Sequence, residues 1–241
     1  MIAVYKKEIS VFFSTVIGPL IISLFLLINS LLLWSDISQF NILDNAYASM
    51  DIFFIISPII FLVFIPAICM NTFAKEYDSG TIENLITKPL SSYHIVLSKF
   101  FAILTLVIVS LIPTCLYVIT IYYIGEIAGN LDLAGIFGSY IGLIMLSGVF
   151  SSISIFASSI SSNQITAFIL GIFLSALFYF GFDIFSKIYL LQRVDVILQK
   201  IGILYHYNIM SKGLLMLKDF IYFISIIFLF LKFSEITIQR K

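Results

Sequence analysis

Few side chains in this sequence are suited to chemistry, and their spacing limits what that chemistry can be. The two histidines, His94 and His206, and the two cysteines, Cys69 and Cys115, show no metal-ligand spacing. Metal or acid–base catalysis needs such groups clustered with Asp or Glu. Both cysteines lie in apolar runs, where a reduced thiol packs as a small hydrophobe, and both are expected to be buried. No Gly-x-x-x-x-Gly-Lys-Ser/Thr run occurs, so the chain has no P-loop with which to cradle nucleotide phosphates. These residues predict no enzyme, no metal site and no cofactor bound by this chain.

Two other patterns stand out. The polar stretch Lys75 to Ser91 reads as a turn followed by a short helix. Gly80 permits a tight turn, Thr81 is placed to cap the helix, and Glu83 sits near its positive N-terminus. Pro89 ends it at or before Lys88. Ile82, Leu85 and Ile86 share one face, with Glu83, Asn84 and Thr87 elsewhere. A helix of about two turns is not stable alone and needs a surface to dock on. That surface is either a partner or the chain's own polar end. In the second pattern Ser147, Ser151, Ser154, Ser158 and Ser161 recur at spacings of four and three, marking one helical face with Gly142 and Gly148 nearby. Such a face is a seam for close helix packing or the wall of a polar path.

The elements that must carry these patterns follow from hydropathy. Of 241 residues, 61% are hydrophobic and 11% charged, with mean hydropathy +1.13. A soluble domain carries about a quarter charged residues, so this apolar surface must face lipid. Val16–Leu33, Ile52–Met70, Phe100–Ile124, Ile136–Ile160 and Ile165–Phe182 each lack Asp, Glu, Lys, Arg and His, and a sixth span runs from Phe220 toward Ile238. A span needs about 20 such residues. The expected fold is all-α: a single membrane domain over residues 1–241 with six transmembrane helices. The first run is longer than a signal-peptide core and is kept as a span. Asn29 within it is expected to bond a neighbouring helix. Pro58, Pro66 and Pro113 predict local kinks.

Lys6 and Lys7, then Lys75, Lys88 and Lys99, then Arg240 and Lys241 alternate with loops poor in Lys and Arg, which places both termini in the cytoplasm. The segment 183–219 breaks the rule, with Lys187, Arg193, Lys200, Lys212 and Lys218 on the expected outer side. There Ile184, Ile188, Leu191, Val194, Leu198 and Ile201 form a stripe that predicts an amphipathic, membrane-associated helix or re-entrant segment. Ahead of the first span, Ile2, Tyr5, Ile9, Phe12 and Phe13 share a face opposite Lys6, Lys7 and Ser10. This is the pattern of an interfacial helix, or else a polar extension of the first span. Net charge is zero, and nothing suggests nucleic acid.

The arrangement Glu76-x-Asp78-x-Gly80-Thr81-x-Glu83-x-Leu85-Ile86-x-x-Pro89, between the second and third spans, resembles the signature of ABC-2-type permease subunits of ABC transporters. The resemblance implies that Glu76, Asp78, Gly80, Thr81, Ile82, Glu83, Leu85, Ile86 and Pro89 form a cytoplasmic coupling helix region contacting an ABC ATPase subunit. That partner would bind the ATP and Mg. It further implies a second permease chain, either a homodimer partner or a larger membrane subunit, surrounding membrane lipids, and a place in the bacterial cytoplasmic (inner) membrane. It also gives segment 183–219 the character of an outer gate. The whole chain is similar to the permease of the gliding-motility ABC transporter family of Bacteroidota. Phe40-Asn41-Ile42-Leu43-Asp44, Gly129-Asn130-Leu131-Asp132, Ser162-Asn163-Gln164, His206-Tyr207, Ser211-Lys212-Gly213 and Lys218-Asp219 carry this likeness, while Tyr77 and Ser79 depart from it. The expected function is ATP-driven export or motility-associated transport. The alternatives are an ion-coupled secondary transporter, disfavoured because the first five spans contain no ionisable residue of the kind such proteins bury, and a structural membrane subunit without an ATPase.

Overall fold

The computed structural model describes residues 1–35, 40–44, 49–80, 91–125, 130–187 and 195–240, and every regular element among them is helical. In a hydrocarbon solvent each backbone N–H and C=O must be paired within the protein, which helices achieve locally. The helices are α1 (Ile2–Ser14), α2 (Ile17–Trp34), α3 (Asp51–Cys69), α4 (Ala74–Asp78), α5 (Ser92–Leu111), α6 (Cys115–Ile124), α7 (Leu133–Ile160), α8 (Gln164–Ser186), α9 (Asp195–Ile201), α10 (Ile203–Met210) and α11 (Leu217–Arg240). Among the described residues five helical stretches are long and apolar enough to cross a membrane, or six when α1 and α2, bent by 70°, count as one. The protein is a polytopic, all-α membrane protein.

Three spans begin at side-chain caps that the sequence carries openly. Ser91 accepts from the His94 N–H, Asp132 from the Gly135 N–H and Asn163 from the Thr166 N–H, each satisfying a donor that a helix start leaves free. The long helix α7 is central: it packs against α3, α5, α8 and α11, and buries Leu143, Leu146, Val149, Phe150 and Ile153 completely. Asn29 donates to the Phe25 carbonyl of its own helix and accepts from Ser57 of α3. A polar group within the apolar span is thereby satisfied.

The prolines in the spans have distinct outcomes. Pro113 breaks the third span into α5 and α6 through a 3-10 turn at Ile112–Thr114. Pro58 lies inside α3. Having no N–H, it leaves the carbonyl four residues earlier, that of Phe54, without its helical donor. The Tyr207 phenol of α10 fills the gap, donating to the Phe54 carbonyl at 2.6 Å. Tyr207 is 1% exposed, and burial beside the Tyr179 phenol pushes its ionisation well above the ordinary tyrosine range. It therefore remains a donor.

The structure refines four points. First, the stripe from Ile184 to Ile201 is described only at its two ends. Ile184 belongs to the end of α8, where Lys187 pairs with Asp183 one turn earlier, at 2.7 Å. Leu198 and Ile201 belong to α9, and Ile188, Leu191 and Val194 lie outside the described residues. The buried helix is α10, which inserts Ile203, His206, Tyr207 and Met210 into the bundle. Its return is tight: a side chain on Gly213, at φ 77°, would meet the Gly135 backbone at 2.5 Å, and one on Gly138 would meet the Gly213 backbone. Third, the 70° bend rules out α1 as a straight extension of α2. α1 instead packs on α5 through Val4 and Tyr5, whose hydroxyl is 3.0 Å from that of Thr105, leaving Ile2 and Phe13 exposed. Fourth, Cys69 is buried but Cys115 is exposed, because the outside of an apolar span faces lipid and puts no penalty on an uncovered apolar residue.

The link between Pro58 and Tyr207 is open to a double-mutant cycle. Tyr207→Phe orphans a buried carbonyl and costs about 1–3 kcal/mol. Once Pro58→Ala restores an N–H to α3, most of that cost disappears. Melting temperatures of the four purified proteins in one detergent give the coupling.

Candidate functional site

The chain end that carries Met1, Glu76 and Arg240 contains a buried ionic cluster. Lys99, in the second turn of α5, has a side chain with no exposure. Its ammonium donates to Glu8 of α1 at 3.0 Å and to the Thr72 carbonyl, between α3 and α4, at 2.8 Å. It lies 3.0 Å from Glu76 of α4 and 4.8 Å from the Phe73 ring centre. Lys7 reaches the same Glu76 oxygen at 3.4 Å but is half exposed. An ammonium has three donors, and here three oxygens from three separate elements surround it.

The chain can arrange this because each contributor stands at an element boundary. Glu8 interrupts the protein-facing row Val4, Glu8 and Phe12 of α1 at four-residue spacing. α3 stops at Cys69, and its last turn leaves the Thr72 carbonyl free. α4 then restarts on a cap from another span: Ser158 Oγ of α7 accepts the N–H groups of Phe73 and Ala74 at 3.1 and 3.0 Å, and the Thr72 hydroxyl lies 3.1 Å away. Ionic and capping contacts thus join α1, α4, α5 and α7 just ahead of Gly80, which has φ 67°.

The residues singled out in the sequence fall into three groups. Glu76 is buried in the cluster, whereas Asp78 and Gly80 are exposed at its edge. Thr81, Ile82, Glu83, Leu85, Ile86 and Pro89 lie outside the described residues. Ser147, Ser151, Ser154 and Ser158 are all buried. Ser147 bonds its own helix through Ile144, Ser154 lies beside the Cys69 thiol, and a side chain on Gly171 of α8 would sit 3.6 Å from Ser154 Oγ. The row faces α3 and α8, and Ser158 caps α4.

Glu8 and Lys99 were missed as a pair. The usable signals were a lone carboxylate in the apolar row of α1 and a lone cation one residue before an apolar run. A second pair, His206 and Asp219, was also missed. At the opposite end of the bundle, Asp219 is completely buried and its Oδ1 is 2.6 Å from His206 Nδ1. His206 Nε2 donates to the Lys200 carbonyl at 2.9 Å. A carbonyl only accepts, so Nε2 carries a hydrogen, and one further proton lies between Nδ1 and Oδ1. The Tyr222 ring stacks on the imidazole with 3.9 Å between centres. The arrangement fastens α10 to the start of α11.

Replacing Lys99 tests the cluster. Lys99→Met leaves two carboxylates without their buried partner and costs about 3–5 kcal/mol. Adding Glu8→Gln and Glu76→Gln removes the uncompensated charge and restores most of the melting temperature. Lys7→Met costs less than about 1 kcal/mol, because its pairing is screened by water.

A family model described as ABC-2 family transporter protein matches residues 3–238, nearly the whole chain. No curated protein matches the sequence significantly. Members of this family act with an ABC ATPase as membrane transport subunits. With its apolar spans and its family-wide match, this chain belongs to the ABC-2 transporter family and is a multi-pass membrane permease of an ABC transporter.

Proposed function

We propose that the chain is the membrane-embedded half of an ATP-driven transporter of the bacterial cytoplasmic membrane, with both termini in the cytoplasm, and that residues 81–90 take up the stroke of a separate ATPase subunit holding ATP and Mg. The observation that carries this reading is the buried cluster around Lys99. Glu76 lies four residues upstream of Gly80 and is held at once to α1 and α5, while Ser158 holds α4 to α7. A displacement delivered to 81–90 reaches Glu76 through four residues of backbone. It must pull on α1, α3, α5 and α7 or break a buried ion pair. Lys6, Lys7, Lys75 and Lys99 gather at this end, as positive charge does on the cytoplasmic side.

The single domain covers residues 1–241 and supplies one half of a translocation unit, completed by a second permease chain, either a copy of itself or a larger membrane subunit. The likeness to gliding-motility permeases supports export or force transmission in that setting.

A tagged chain purified in mild detergent brings down an ABC ATPase, and Ile86→Cys forms a cross-link to that subunit. A membrane-impermeant thiol reagent applied outside intact cells leaves Ile86→Cys unmodified. Modification from outside, or a complex without ATPase, sinks the reading. Within the complex, Lys99→Met uncouples: ATP hydrolysis persists while substrate movement falls by about tenfold or more.

A further inference from the structure

On the bundle face between α8 and α11 runs a groove of about 470 Å³. Phe156 of α7 forms part of its floor, Leu174, Phe178 and Phe182 of α8 one wall, and Tyr222 and Phe233 of α11 the other. The polar atom on these side chains is already committed, since the Tyr222 hydroxyl donates to the Ile201 carbonyl. Tyr222 is also fixed by its stack on His206, so the head of the groove is rigid.

We infer that this groove is a binding site for one phospholipid of the leaflet on the α9 side, its acyl chain lying along the groove and its phosphate held by Lys200 and Lys218. Length supports the acyl chain. From Tyr222 to Phe233 the groove follows α11 for about 16 Å at 1.5 Å per residue, close to the ~15 Å half-thickness of a bilayer hydrocarbon core. Charge supplies the headgroup. Lys200 precedes the groove-lining Ile201, and Lys218 stands one turn outward of Tyr222. Both are exposed and carry no ion pair among the described residues. The nearby carboxylates are occupied: Asp183 by Lys187, Asp219 by His206, and Asp195 by the Val196 N–H at the far end of α9. Basic side chains at the mouth of an apolar interhelical groove match a phosphate with its tail below it. The site also accounts for lysines that contradict the charge rule in the sequence, and it does not depend on which partner supplies ATP hydrolysis.

Native mass spectrometry of the full chain, prepared in detergent with palmitoyl-oleoyl phosphatidylglycerol, tests the site. One phospholipid per chain survives detergent exchange. Leu174→Trp fills the groove and removes it, whereas Leu24→Trp, on the exposed face of α2, leaves it bound. Lys200→Glu with Lys218→Glu lowers occupancy by about tenfold or more at about 1 kcal/mol per basic residue, with the melting temperature showing that this exposed double variant stays folded. Equal lipid retention in the two tryptophan variants means ordinary boundary lipid and overturns the proposal. So does loss of dimer mass instead of lipid in Leu174→Trp, which marks the groove as a protein interface.

Discussion

An amine without solvent contact needs oxygens of negative or partial negative charge around it, and Lys99 obtains them from three elements at once. Glu8 comes from the helix bent away from the first span, Glu76 from the restart after the second, and the Thr72 carbonyl from the break between them. None of these elements is secure alone. α1 has 13 residues and α4 five, short for helices that must persist without tertiary support. The requirement to compensate one cation holds them together at the foot of the bundle, and the Ser158 cap adds the central helix.

The opposite end obeys the same rule with backbone groups and a proton in place of a lysine. Pro58 removes a donor from the second span and Tyr207 returns one from α10; His206 and Asp219 share a proton and fasten α10 to the last span. Between the two ends the bundle is held mainly by apolar contacts and by the small residues of α7 against α3 and α8, with a few interhelical hydrogen bonds such as Ser57 to Asn29. Hydrogen bonds and ion pairs are directional, while apolar packing is not.

Much of this was legible in the chain. Uncharged runs announced the spans, because a solvent that cannot hydrogen-bond excludes charge. The caps at Ser91, Asp132 and Asn163 went unread, although each is a polar residue ahead of an apolar run. Pro113 breaks its span and Gly80 turns with positive φ, as their backbone chemistry demands. The stripe from Ile184 to Ile201 has its ends in α8 and α9, and its middle lies outside the described residues. Exposure at Cys115 was misjudged because lipid reverses the usual meaning of an uncovered apolar side chain.

The split follows from the range of the interactions. Hydropathy, capping and turn formation act within a few residues, so the sequence by itself determined that this is a helical membrane protein and where its spans lie. Glu8 and Lys99 are 91 positions apart, and Phe54 and Tyr207 are 153 apart. No local pattern encodes such partners, since Lys99 reads equally as a solvated loop charge and Tyr207 as an interfacial aromatic. Only the tertiary structure, by excluding water from both places, decided that each had to find its distant counterpart.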